Sequence, residues 1–349
     1  MEPVTHALSS LALAQAGLNR TTRLATPMAL VAGLAADLDV LSVLGGAPAY
    51  LDYHRTFAHS LLGAAFWAGA VAAPFVALGR TGWYRRQYER GGELRAEDTV
   101  RWRGAYLTCL VAAVLHVLLD ALNPYGVQLF WPAKAWYAFD LMDPVDPWIL
   151  VGMSAAMLLP LLLRLVTEEI AGKGERKTLR RGAIVALAFL GGYCGARWAM
   201  HQQAVGVLDA HRYHEASPRR ASAFPASASP RHWMGIVETD NTLEEIEFRL
   251  GAFFDPDSSR TNYKPEAAPA IEAARATEAA RRFLAFARYP SATVVSLPEG
   301  RGMAVEIRDL RFVRPPNAEQ RQDVMVVIEL DPQMRVVNEA ILWAKDYKR

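Results

Sequence analysis

AHSLLGAAFWAGAVAAPFVALG, residues Ala58–Gly79, is a run of 22 residues whose one ionisable side chain is His59. As a helix it rises far enough to cross about 30 Å of hydrocarbon. Three more runs share this character: Gly104–Leu122, Trp148–Val166 and Gly182–Ala199. A fifth, Pro27–Leu44, carries Asp37 and Asp39 inside it. Val4–Leu18 is apolar but short, and reads as a half-span or a helix packed on the others. Glu2 precedes it and no basic stretch does, so it lacks the marks of a signal peptide. Four such runs rarely coincide in a soluble chain.

The composition agrees. Of 349 residues, 52% are hydrophobic and 21% charged, which excludes a disordered chain. A net charge of +2 gives no reason to expect nucleic acid as a partner. Cys109 and Cys194 both sit in apolar runs, so neither a disulfide framework nor a cysteine metal cluster is expected. Residues 205–349 differ in kind, with 20 basic and 21 acidic side chains.

The expected fold is therefore a membrane all-α helical bundle followed by a small soluble α+β domain. The bundle, residues 1–204, has about five spanning helices plus a short N-terminal helix. Residues 205–230 (containing SPRRASAFPASASP) read as a linker, with His201, His211 and His214 around its start. Residues 231–349 form the α+β domain. Its strands are expected at His232–Glu238, Leu243–Leu250, Ala292–Leu297, Met303–Phe312, Val324–Leu330 and Val336–Trp343, with one helix at Pro269–Ala287. No metal or nucleophile constellation is visible in this domain.

Loop charges orient the bundle. The loop Arg80–Arg103 has seven arginines, and Arg164–Arg181 has six lysines and arginines. The intervening loops, 45–57 and 123–147, hold only Arg55 and Lys134. The positive-inside rule puts the basic loops in the cytoplasm, and hence the C-terminal domain outside it. Trp131, Trp136, Tyr137 and Trp148 then read as an interfacial aromatic belt.

On that map His6, Asp37, Asp39, His54, His59, His116 and Asp120 converge on the outer membrane level from four segments. Asp140, Asp143 and Asp146 follow in the outer loop. Ionisable groups within spanning helices are costly unless paired or liganded, and mark function. Histidine nitrogen with carboxylate oxygen, and no cysteine, suits zinc, manganese or iron. His116 and Asp120 are four apart, on one helix face. Asp37 and Asp39 are two apart, so either the helix is distorted there or one aspartate orients a histidine. The set suffices for one or two metal ions. Buried His–Asp bonds that staple the bundle are the bland reading. Arg55 either binds a phosphate or pairs with Asp52 or a site aspartate.

Thr5-His6, Ala36-Asp37-Leu38-Asp39, His54-Arg55-Thr56-Phe57-Ala58-His59-Ser60 and His116-x-x-x-Asp120 followed by Pro124-Tyr125-Gly126 resemble the YdjM-like family. Those are bacterial inner-membrane proteins described as predicted metal-dependent hydrolases. The resemblance covers residues 1–165. The family usually has Pro at the place of Ala36, Gly at Thr56 and Thr at Ala58; the ionisable positions all remain. The family is distantly similar to zinc-dependent phospholipase C and P1 nuclease. The resemblance implies a multi-pass protein of the bacterial inner (plasma) membrane that hydrolyses a phosphoester or related bond.

The expected function is thus a membrane-embedded metal-dependent hydrolase. A divalent metal, zinc foremost, activates water against a lipid or lipid-linked substrate at the outer face. Its ligands are drawn from His6, Asp37, Asp39, His54, His59, His116 and Asp120. Asp39, Asp120 and Arg55 are the candidate catalytic groups, and the bilayer is the expected partner. The alternatives are a metal or proton transporter and an inactive membrane scaffold. A relay needs ionisable groups at both depths, and the inner halves of the helices are bare.

Overall fold

The computed structural model describes residues 1–88, 99–168, 175–226, 229–264, 268–312 and 324–347. The basic loops 80–103 and 164–181 lie in part outside them. The chain forms two compact units, Met1–Asp39 with Arg55–Ala199, and Val40–His54 with Met200–Arg349.

The first unit is helical. α1 spans Pro3–Ala16 and starts where the Glu2 carboxylate accepts from the backbone N–H of Val4 at 2.6 Å and of Thr5 at 3.0 Å. α2 spans Ala25–Ala35 and gives way to a 3₁₀ helix at Ala36–Gly45, followed by α3 at Gly46–Tyr53. α4, Leu61–Gly79, is capped by Ser60 Oγ, which accepts from Gly63 N at 2.9 Å. α5 is Gly82–Tyr88, α6 is Trp102–Ala121, α7 is Pro147–Glu168 and α8 is Glu175–Asp209. Asp146 Oδ1 caps α7 by accepting from Trp148 N and Ile149 N, and it also receives the Tyr193 hydroxyl. That acidic group of the loop 123–147 is therefore a helix cap.

Among the described residues, four helical stretches are long and apolar enough to cross a membrane: Ala25–Tyr53, Leu61–Gly79, Trp102–Ala121 and Leu179–Asp209. The expected span Trp148–Val166 falls in α7, whose apolar segment Pro147–Pro160 is shorter. The packing is that of a bilayer protein. Ala29, Ala32, Ala68, Ala72, Ala105 and Ala112 form the interior, while Leu62, Phe66, Leu107 and Leu118 face outward. Small residues let the helix backbones approach where lipid already covers the large ones. At Gly33 a Cβ would stand 1.9 Å from Ser10 Oγ, so only glycine permits this approach of α2 to α1.

The second unit holds two antiparallel four-stranded sheets. In the first the order is β1 (Arg220–Pro225), β2 (His232–Glu238), β3 (Thr242–Arg249), β4 (Arg260–Tyr263). In the second it is β5 (Pro290–Ser296), β6 (Met303–Asp309), β7 (Val324–Leu330), β8 (Val336–Trp343). Two helices, α9 (Pro269–Arg275) and α10 (Glu278–Leu284), pack on the second sheet, and α3 packs on β8.

Three local expectations change. The stretch 205–230 is not a linker: α8 continues to Asp209, and β1 pairs with β2 in register from Arg220 opposite Glu238. Its alanines pack because small side chains suffice once Trp233 and Leu208 fill the space between. The expected helix Pro269–Ala287 is two helices. The Thr277 hydroxyl accepts from Ala280 N and donates to Ala274 O, a local bond that competes with helix continuation. β4 was not expected, since Arg260-Thr-Asn-Tyr263 has no apolar alternation.

Candidate metal centre

α6 supplies the base of the site. His116 and Asp120 project from one face, and the His116 ring is buried. Its Nδ1 lies 2.8 Å from the Gly33 carbonyl. A carbonyl only accepts, so Nδ1 carries the proton and Nε2 presents its lone pair to the interior.

His59 enters from the 3₁₀ turn Phe57–His59. Its Nδ1 is 2.9 Å from Asp39 Oδ2, an ion-pair contact, and its Nε2 faces inward. That Nε2 stands 3.1 Å from His116 Nε2 and 2.9 Å from Asp120 Oδ2. Asp37 Oδ1 lies 3.6 Å from His116 Nε2 and 3.7 Å from His59 Nε2. From α1, His6 Nε2 is 3.3 Å from Asp120 Oδ1, and its ring stacks on His116 with centroids 3.7 Å apart.

The break from α2 into a 3₁₀ helix separates the two aspartates. Asp37 turns to the cluster. Asp39 Oδ2 instead holds His59 Nδ1 and accepts from Arg55 N at 2.8 Å. The sequence left open a distorted helix or an orienting aspartate, and both occur.

One ligand atom from each of His6, Asp37, His116 and Asp120 lies within 4.8 Å of the others, so the group could hold a metal ion. Donors sharing one ion at its usual bond lengths stand about 3.3–3.6 Å apart in a tetrahedron. Six donor pairs of the cluster, those to His59 included, stand 2.9 to 3.7 Å apart, around that value, within a group whose ligand atoms spread to 4.8 Å. The two imidazole Nε2 atoms face each other at 3.1 Å, a separation at which both can ligate one cation. Asp37 Oδ2 and His6 Nδ1 are buried without a hydrogen-bond partner among the described residues. The charge points the same way. The carboxylates of Asp37, Asp39 and Asp120 outnumber the cations recorded beside them, Arg55 and the α-amino group of Met1, which contacts Asp120. Unbalanced buried charge is costly, and a divalent ion offsets it.

Of the seven expected ligands, five meet here: His6, Asp37, His59, His116 and Asp120. Asp39 stands behind His59. His54 belongs to the other compact unit, where its ring stacks on Tyr50 at 4.4 Å. Arg55 is buried, in the left-handed region at φ 59°, with Nη2 3.3 Å from Asp120 Oδ1 and Nη1 2.7 Å from Asn123 Oδ1. Of the two readings of Arg55, pairing with a site aspartate is the contact present. Such strain in a non-glycine residue gathers at functional sites. Asp52 pairs instead with Arg282, inside the second unit.

Two contributors escaped the sequence reading. Gly33 acts through its carbonyl, which no side-chain pattern reports. Asn123 lies seven residues beyond His116, on the stripe that already held His116 and Asp120; the i, i+4, i+7 spacing was the available signal. His201, His211 and His214 belong to ordered structure: His201 beside Trp233, His211 Nδ1 2.7 Å from Val207 O, and His214 Nε2 3.1 Å from Thr261 Oγ1.

Comparison with known proteins gives the family. A family model described as the YdjM inner membrane protein matches residues 1–204. A second, described as the YfhP C-terminal alpha/beta plait domain, matches residues 269–349, the segment holding α9, α10 and the second sheet. The chain is 30% identical over 129 residues to the uncharacterized protein YfhP of Bacillus subtilis (strain 168). That match covers 37% of this chain and 34% of the relative, so the chain spans about a third of that relative's length. No solved structure matches.

Proposed function

The chain belongs to the YdjM inner membrane protein family, and from that premise we propose that it is a membrane-embedded metal-dependent hydrolase acting on a phosphoester of a lipid or lipid-linked substrate. The observation that carries the reading is the buried convergence of imidazole and carboxylate donors from four chain segments at single-ion spacing. His6, Asp37, His59, His116 and Asp120 are assigned as the residues that hold the ion, with zinc the metal their donors suit.

When bound, the ion supplies Lewis-acid activation of water and of the scissile group. Asp39 keeps the His59 ring turned and its Nε2 unprotonated, a positioning role. Arg55 holds Asp120 and adds positive charge beside the cluster. Asp37 is assigned as the acceptor of the water's proton. Its side chain is 23% exposed where those of His59, His116 and Asp120 are at 0%, and its Oδ2 is not engaged by another described group. This moves the proton-accepting role away from Asp39, whose Oδ2 accepts from Arg55 N and lies beside His59 Nδ1.

Full-length protein purified from membranes should contain a divalent metal by elemental analysis. It should release phosphate or alcohol from phosphoester lipids, lose that activity to a chelator, and regain it with zinc. Metal-free protein with undiminished turnover would overturn the reading.

The second unit is assigned to the outer side of the membrane, on the loop charges alone. A reporter that matures only outside the cytoplasm should be active when fused to the C-terminal sheet domain. Activity of a cytoplasm-specific reporter there would invert the orientation.

A further inference from the structure

Asn123 follows the C-terminus of α6 and is fully buried. Its side-chain orientation is determined by what surrounds its oxygen. Oδ1 accepts from Arg55 Nη1 at 2.7 Å and from Tyr125 N at 3.1 Å, with Gly126 N at 3.4 Å. All three are donors, so the nitrogen cannot occupy that position. The turn is braced behind it: Gly126 has φ +76°, and Val127 bonds Tyr137 in both directions. Nδ2 is thereby fixed as the other branch of the same amide. It has no hydrogen-bond partner among the described residues. Buried polar groups in native proteins are almost always satisfied, so an orphan amide N–H calls for an acceptor that the described residues do not provide.

The surroundings say which acceptor. One guanidinium bridges Asn123 to the cluster, Arg55 Nη1 bonding the amide and Nη2 standing 3.3 Å from Asp120 Oδ1. With a divalent ion in place, the carboxylates of Asp37, Asp39 and Asp120 no longer outnumber the positive charges, so an anion is accommodated. Resting on the hydrolase reading above, we propose that Asn123 Nδ2 donates to a non-bridging oxygen of the substrate's phosphoryl group, beside the Arg55 charge. Asn123 is then a substrate-binding residue outside the metal-holding set. Its Oδ1 fixes Arg55 while its Nδ2 reads the oxyanion.

The test uses the full chain in lipid nanodiscs, loaded with zinc and titrated with inorganic phosphate by calorimetry. Asn123→Asp keeps an acceptor for Arg55 and Tyr125 but replaces the donor with a second acceptor. Phosphate should bind it at least tenfold more weakly at unchanged zinc content. Asn123→Ala, which removes the donor without adding charge, should weaken phosphate in the same direction. Equal phosphate affinity in wild type and both variants would show that water alone satisfies the amide, and would overturn the proposal. Loss of zinc from both variants would overturn it too, by placing Asn123 with the metal. Zinc-loaded wild type that ignores phosphate would refute the oxyanion site and leave the metal reading standing. Wild type that takes up no zinc would refute the metal reading itself.

Discussion

His116→Ala is expected to empty the metal centre while leaving the protein in the membrane. His116 is the ring on which the other donors are arranged: His59 Nε2 at 3.1 Å, Asp37 Oδ1 at 3.6 Å, Asp120 Oδ2 at 3.5 Å and the His6 ring stacked at 3.7 Å. Alanine removes one donor and the surface that holds His6. His59→Ala should act alike. The loss should exceed the roughly 10–100-fold that an outer-shell partner of a metal ligand is worth. Asp39→Asn, which disturbs the carboxylate beside His59 Nδ1 and Arg55 N, should fall within that smaller range. Insertion should survive, because α6 keeps its apolar length and its alanine packing against α2 and α4. The measurement is zinc content after dialysis against a graded series of chelators. Full metal retention in both histidine variants would end the assignment.

The second large effect concerns the C-terminal domain. A chain ending at Ala199 is expected to bind zinc about tenfold more weakly than the full chain, in the range of a disturbed outer shell. Val40–His54 belongs with Met200–Arg349 in one compact unit. Within it α3 packs on β8, Tyr50 meets the Trp343 ring at 5.1 Å, and Asp52 pairs with Arg282. Truncation removes Trp343 and Arg282 together. The segment that loses them is bounded by Asp39 on one side and Arg55 on the other, the two residues that orient His59 and hold Asp120. Isothermal titration of both forms in nanodiscs decides the matter. Equal affinities would mean that Asp39 and Arg55 keep their places without the domain. On the sequence alone, with every proposed ligand before residue 121 and 205–230 taken as a tether, the domain looked dispensable for metal.

Much of this molecule is legible without coordinates, and for a clear reason. A spanning segment must be apolar along its whole length, since hydrocarbon leaves no water to solvate a polar group. Ala58–Gly79 and Gly104–Leu122 therefore announce themselves as α4 and α6. The same penalty makes each ionisable residue in such a run conspicuous, which is how His6, Asp37, His59, His116 and Asp120 were found. The strands β2, β7 and β8, short stretches rich in β-branched and large apolar residues, were placed to the residue.

What the sequence could not determine depends on partners distant in the chain. Whether Asp37 or Asp39 faces the donors follows from the change of α2 to a 3₁₀ helix, and from His59 and Arg55 waiting for the second carboxylate. The Gly33 carbonyl has no side chain to betray it, and Asn123 acquires meaning only when Arg55 arrives from 68 residues away. β1 reads as a Ser/Ala/Pro linker until β2 pairs with it and Trp233 covers it. Local pattern reports the cost of burying a residue; which groups meet once buried is decided by long-range packing, and only the tertiary structure carries that.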